Sequence, residues 1–211
     1  MSDDTQAPGD LDNESGVVPA ELESPPPAGV TIRQARSSDA PSYSRMWTAV
    51  VAEGRWVRTE QVGDLKAMRR MLADSWSDDR ARFAAIAWGQ VVGLLTIERM
   101  THPVNRHVAT VGMAIEESWR GQGLGSALMA HAMRWARQVG VEKVTLEVYP
   151  ENEAGVALYR KFGFHEEGRL VRQSKKSFGY QDEVIMSRWL AREPDDRSTT
   201  VPDSEPGRRA T

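Results

Sequence analysis

The chain contains no cysteine among its 211 residues, which excludes disulfides, thiolate-held metal and a cysteine nucleophile together. It also lacks any apolar run long enough to span a membrane, and its start lacks the basic and apolar regions of a secretory leader. Basic charge is not in excess: 27 Lys and Arg stand against 30 Asp and Glu, a net charge of −3. That balance gives no electrostatic case for nucleic acid as the main ligand. Four histidines, at 102, 107, 131 and 165, do not fall at a metal-ligand spacing, so no metal is expected. A cytoplasmic protein with neither membrane nor nucleic acid as partner is the class these absences leave.

What is present suits a packed domain, with 40% hydrophobic and 27% charged residues. Residues 1–29 hold seven acidic residues, no Lys or Arg and the run Pro25-Pro26-Pro27, a composition that cannot offset its ordering entropy. Residues 192–211, "REPDDRSTTVPDSEPGRRAT", are similarly polar and proline-rich. A disordered acidic leader, one domain over 30–191 and a disordered tail are therefore expected.

Within the domain, "VTIRQA" alternates as a strand and "SSDAPSYSRMWTAVVAEG" follows as a helix with Asp39 as its N-cap. "TEQVGDLKAMRRMLADSW" has Leu65, Met68, Met71 and Leu72 at helical spacing. "ARFAAIAWG" and "QVVGLLTIERM" form a hairpin split at Gly89-Gln90, and "HVATVGMAIEE" is a further strand. A helix with Leu124, Leu128, Ala132, Trp135 and Val139 on one face then runs to Gly140. The strand "KVTLEVYP" leads to a short helix, "NEAGVALYRKFGF", capped by Asn152 and stopped at Gly163. "EEGRLVRQ" and "DEVIMSRWL" close the domain as a strand pair. The order β-α-α-β-β-β-α-β-α-β-β predicts an α+β fold, a mixed, mostly antiparallel central sheet flanked by helices.

Between one strand and the next helix lies "SWRGQGLGSALM", with Gly121, Gly123 and Gly125. Bare main chain at the positive end of a helix suits a phosphate group. A nucleotide P-loop needs Gly-Lys-Ser/Thr, and Ser126-Ala127 follow Gly125 instead. A dinucleotide loop needs G-x-G-x-x-G after a parallel strand pattern, which is absent. The remaining pattern, Arg-x-x-Gly-x-Gly at Arg120, Gly123 and Gly125, resembles the pyrophosphate-binding motif of the GNAT superfamily of N-acetyltransferases. "LEVYPENEAGVALYRKFGF" resembles the same family's later strand–helix block, and the element order agrees from about Thr31 to Leu190. "RHVATVGMAI", "YRKFGFHEEG" and "YQDEVIMSRWL" look most like the bacterial amino-acid and phosphinothricin N-acyltransferase branch.

The resemblance implies acetyl-CoA as cosubstrate and an acyltransferase that passes the acetyl group directly to an amine in a ternary complex. Its diphosphate would lie on main-chain N–H groups of Gln122, Gly123, Leu124, Gly125 and Ser126, beside Gly121, with the Arg120 side chain as a further phosphate ligand. Met113, Ala114 and Ile115 would hold the pantetheine arm and acetyl group through main-chain groups, and one N–H there would serve the oxyanion. Tyr159 would be the general acid toward the departing thiolate, and Asn152 a helix cap that also meets the pantetheine amides. Glu147, twelve residues before Tyr159, matches the base of the family's protein N-terminal acetyltransferases. Glu98 or a relayed water competes for that role.

Trp47, Trp56 and Trp76 fall in the region that, by resemblance, walls the acceptor cleft, and "EGRWVRTE" adds Arg55 and Arg58 as carboxylate ligands. Three functions stay open: an N-acetyltransferase of a small-molecule amine such as an amino acid, a protein or peptide N-terminal acetyltransferase, and a non-catalytic CoA-binding sensor. A homodimer is compatible with each.

Overall fold

A computed structural model describes residues 24–190. The expected tail and nearly all of the expected leader lie outside the described residues. Strand β1 (Val30–Gln34) leads through a 3-10 turn to α1 (Ala40–Ala52) and α2 (Leu65–Ala73). Then follow β2 (Trp76–Ser77), β3 (Arg80–Ala87), β4 (Gln90–Arg99) and β5 (Val108–Ile115). Helix α3 (Leu124–Gln138), β6 (Lys143–Val148), α4 (Glu153–Lys161), β7 (His165–Lys176) and β8 (Gly179–Trp189) complete the domain.

The order is the expected one plus the two-residue β2, whose Trp76 and Ser77 pair with Ala81 and Arg80 across a tight turn. Helix α2 is shorter than its periodicity suggests. Asp64 is extended, and its side chain accepts from Ala67 N at 2.8 Å, so the helix starts only at Leu65. Residues 53–64 are consequently a loop, an arrangement that matters for the site. Asp39 stands at the N-cap position of α1 without capping it, because its carboxylate takes Arg36 N and both arms of the Arg33 guanidinium, each at 2.8 Å.

One sheet runs β1-β3-β4-β5-β6-β8-β7, with β2 on β3, and every neighbouring pair but one is antiparallel. The exception is β5 with β6, joined in parallel by the α3 crossover. Strand alternation sends Leu95, Ile97, Ala109, Val111, Val144, Leu146, Val184 and Met186 to one face, into a core with Leu124, Leu128, Trp135 and Phe162. Ala84, Leu94 and Ala114 face the other way, into a second core under Tyr43, Met46, Val50, Met68 and Leu72. Helix α3 thus covers one face and α1 with α2 the other. Phe162 and Phe164, which follow α4, are buried in the α3-side core.

Candidate active site

The parallel pair β5–β6 is registered only from Val108 to Thr110, opposite Lys143 to Thr145. Beyond that, β5 continues to Ile115 and β6 to Val148 without pairing to each other, so the sheet opens there. Ladder alternation decides which main-chain groups line the opening. Glu116 N donates to Val92 O, on the β4 side. Counting back by twos, Ala114 turns its polar groups to β4 as well, whereas Met113 and Ile115 turn theirs to the opening. Of the three expected residues, Met113 turns both main-chain groups to the opening and Ile115 keeps its N–H there, its carbonyl accepting from Arg120 Nε at 2.8 Å, whereas Ala114 turns to β4.

Strand β5 leads into the glycine loop at the start of α3. Gly121 and Gly123 have φ of +71° and +87°, a left-handed backbone that L side chains rarely adopt, with open space where a Cβ would stand. Gly125 is needed for a different reason: a Cβ there would lie 2.9 Å from Leu158 Cδ2, so α4 packs directly on it. The first intrahelical acceptor, Gly123 O, receives Ala127 N at 3.1 Å. The earlier N–H groups, through Ser126, are those a helix start leaves without an intrahelical partner. Lys161, in the last turn of α4, brings its ammonium within 3.3 Å of Ser126 Oγ. A cationic side chain therefore stands beside the anion corner, unforeseen from the glycine motif.

Arg120 corrects an expectation. Its side chain grips Glu53 through both terminal nitrogens, at 2.7 and 2.6 Å, and its Nε donates to Ile115 O at 2.8 Å. A half-buried carboxylate at the end of α1 claims the guanidinium that a phosphate was expected to take. Arg120 instead ties α1 to the end of β5 and fixes the loop's approach.

On α4, Asn152 Oδ1 accepts from Gly155 N at 3.0 Å, the expected cap, while its Nδ2 keeps its donors. Tyr159 is half-buried, its ring 6.0 Å from Phe164. Burial pushes its phenol up to about 12, so it stays protonated throughout the neutral range.

Glu147 lies on the α1–α2 face of β6, beyond the last pairing to β5. Its Oε2 meets Arg58 Nη1 at 2.5 Å, and the same nitrogen is 3.5 Å from Glu183 Oε2. Partial burial raises the Glu147 carboxyl, a hydrogen bond with Glu183 raises it further, and Arg58 opposes both. Glu183, two residues before Glu147's register partner Ile185 and on the same face, is 2% exposed. Its Oε1 accepts from Ser174 Oγ at 2.5 Å, and Ser174 Oγ in turn lies 3.1 Å from Tyr149 Oη. Glu183, Ser174 and Tyr149 carry no motif, and only the alternation in "YQDEVIM" marks Glu183 as facing away from Val184 and Met186.

The loop carrying Arg58 is pinned over this face. Lys176 donates to Val57 O, and Ser177 N donates to Glu60 Oε1 at 3.1 Å. Arg55 lies over Trp56, 5.7 Å from its ring centre. Trp47 packs on Tyr43, whereas Trp76, expected in the same wall, sits on β2 against Phe83. Glu98 is opposite Thr110, at the closed end of the sheet, and is ion-paired to Arg82. Sheet register separates it from the opening.

The family model described as "Acetyltransferase (GNAT) family" matches residues 47–164. L-amino acid N-acetyltransferase of Escherichia coli K12 is 33% identical over 104 residues, 47% of this chain and 62% of that protein. The [ribosomal protein bS18]-alanine N-acetyltransferase of the same organism is 30% identical over 95 residues, 45% of this chain and 64% of that protein. In both cases the match takes in less than two-thirds of the relative's length. A phosphinothricin acetyltransferase from Sinorhizobium meliloti, solved with acetyl-CoA, superposes with a TM-score of 0.71. That alignment covers 83% of this chain and 97% of the other at 19% identity, a likeness of fold.

Proposed function

The chain belongs to the acetyltransferase (GNAT) family, and on that premise we propose that it acetylates the amino group of a small, carboxylate-bearing amine from acetyl-CoA. Bound acetyl-CoA supplies an activated thioester and carries away the thiol. The main-chain N–H groups at the start of α3, with Lys161 beside them, hold the diphosphate. Met113, through its main-chain groups, and Ile115, through its N–H, meet the pantetheine arm, and an N–H there steadies the oxyanion. Glu147 takes the ammonium proton, and Tyr159 donates a hydrogen bond to the departing sulfur.

The observation that carries the acceptor class is Arg58. It spends one corner, Nη1, on Glu147 and Glu183, while its side chain is 61% exposed. Among the described residues nothing holds its Nε–Nη2 edge, which can fork onto a carboxylate and so set the neighbouring amine beside Glu147. The loop's contacts with Lys176 and Ser177 wall the cleft on that side and favour a small acceptor. A peptide N-terminus is the second reading, favoured by the Glu147–Tyr159 pairing and the ribosomal-protein relative.

The test is a panel of amino acids, their decarboxylated amines and short peptides, read by thiol release. Amino acids should be the better substrates. Arg58→Ala should raise their KM by about tenfold or more, the worth of a charge-assisted hydrogen bond, and leave the KM of the decarboxylated amines unchanged, while the lost ion pair with Glu147 alters turnover of both sets alike. Equal losses for both sets would remove the carboxylate assignment.

Gly123→Glu tests the other end of the site. It forces a side chain onto φ of +87° and sets a carboxylate at the anion corner. Acetyl-CoA affinity measured by calorimetry should fall at least about tenfold, about 1.4 kcal/mol. Unchanged affinity would take the diphosphate away from this loop.

A further inference from the structure

The acceptor face holds more negative charge than the reaction of a single base requires. The loop contributes Arg58 and Glu60, β6 contributes Glu147 with Tyr149 just past its end, β7 contributes Ser174 and Lys176, and β8 contributes Gln181 and Glu183. Three carboxylates face two cations, so one negative charge has no counterpart when all are ionised. Glu60 is taken by Ser177 N and Oγ, and Lys176 by Val57 O with Tyr149's ring 5.8 Å from its ammonium. The uncompensated charge therefore falls on Glu147 and Glu183, which share the single Arg58 nitrogen.

Glu183 is held where a bare carboxylate is costly, 2% exposed and fixed by Ser174 on Oε1. Its other oxygen lies 3.5 Å from the Arg58 nitrogen that also holds Glu147. Two carboxyl groups that share one guanidinium nitrogen at a poorly solvated site retain one proton between them far more readily than either would alone. Glu147 is the solvent-facing member, its side chain 32% exposed.

We propose that Glu183 is a positioning residue that acts through Glu147, making the two carboxylates one shared acceptor for a single proton of the incoming ammonium. The inference rests on the acetyltransferase reading only for the source of that proton. In the step, an ammonium N–H bond breaks and a carboxyl O–H bond forms on Glu147, with the hydrogen bond to Glu183 dispersing the remaining charge. The amine is left neutral with its lone pair free, and the pair passes from two negative charges to one. Exchange of that proton with water at Glu147 resets the site. Gln181 Oε1, a buried acceptor without a partner among the described residues, lies on the same face of β8 as Glu183.

The experiment is a carbon-13 NMR titration of the glutamate carboxyl groups in the full chain without substrates. Signals are assigned by their loss in Glu147→Gln and Glu183→Gln. In the unmutated chain the Glu147 signal should titrate in two steps, the upper one well above the ordinary glutamate value of about 4.3. In Glu183→Gln it should titrate in one step with the midpoint lower by at least about one pH unit. An identical Glu147 curve in both proteins would overturn the proposal.

If Glu183→Gln does not fold, the reciprocal measurement decides. Glu147→Gln alters a partly exposed side chain, and the Glu183 midpoint should drop by a comparable amount; a fixed midpoint overturns the pairing. With a substrate in hand, Glu183→Gln should move the acidic limb of the kcat/KM profile to lower pH by the same interval. The KM for acetyl-CoA should stay the same, and Glu183→Asp should restore part of the shift. A profile that loses height without moving would mark Glu183 as purely structural and overturn the proposal. Failure to acetylate any amine would sink the acetyltransferase reading, while the titration would still decide the carboxylate pair.

Discussion

Glu147→Gln should lower kcat/KM at neutral pH by about 10²- to 10⁴-fold, the range of positioned acid–base catalysis. Glutamine keeps the shape of glutamate and still offers an oxygen to Arg58, so the loss isolates proton removal from binding. The acceptor arrives mostly as an ammonium, with an α-amino pKa of about 8 in peptides, and has no lone pair until that proton leaves. The sign of the pH dependence follows. Below the amine's own pKa the variant waits for the rare neutral amine, and the deficit is largest. As pH rises through that value the solvent supplies the neutral form, and the two enzymes converge. Steady-state rates from about pH 6 to about pH 10, past the α-amino pKa of a free amino acid, test this. A deficit that is constant across the range, or none at neutral pH, would return the base role to water. Glu98 is a poor replacement, since it pairs with Arg82 at the far end of the sheet. Acetyl-CoA affinity should hold within about twofold, because Glu147 lies on the α1–α2 face and the glycine corner at the start of α3.

What the sequence disclosed, and what it withheld, divides along one physical line. Demands that a single stretch of backbone makes on its own residues leave marks in that stretch. The positive φ at Gly121 and Gly123 is such a demand, as is the Asn152 cap, and both were legible. The alternation of β4, β5 and β6 was legible because each strand buries one face at least. Partnerships set by sheet register or by a loop folding across the sheet leave no local mark. Arg58 and Glu147 lie 89 residues apart, and nothing near either announces the other. Glu183 joins them only because β8 pairs with β6 in a register that sets Ile185 opposite Glu147. The capture of Arg120 by Glu53 is of the same kind, across 67 residues. Helix α2 was over-read for a local reason: helix-forming residues precede Asp64, yet the cap it forms with Ala67 N decides where the helix begins.

These two classes meet at the site. The proposed anion corner is built from the local demands of its own glycines. The proposed acceptor face is built from register-dependent pairs, the sharing of Arg58 by Glu147 and Glu183 among them. Arg120 links the two halves, with its guanidinium on Glu53 at the end of α1 and its Nε on Ile115 O at the opening.

Tyr159→Phe should lower kcat by about 10²- to 10³-fold, the loss that follows removal of one donor aimed at developing charge, with little change in the KM for acetyl-CoA. The substitution deletes one oxygen and keeps the ring that packs on Phe164, so the fold of α4 should persist. The expected pH behaviour differs from that of Glu147→Gln, and the difference identifies the role. A phenol pushed up to about 12 by burial remains a donor at every pH the enzyme experiences. A thiol resembles cysteine, with a pKa of about 8.5. Full transfer from this tyrosine to the thiolate would run uphill, because burial raises the phenol further above the thiol. On the proposed mechanism, Tyr159 would therefore lower the barrier as a hydrogen-bond donor to sulfur as the carbon–sulfur bond breaks. The variant's deficit should then be the same at low and high pH, with no basic limb gained or lost. A basic limb present in the unmutated enzyme and absent from Tyr159→Phe would mean that the phenol ionises within the working range. An unchanged kcat would leave Tyr159 as a packing residue between α4 and Phe164.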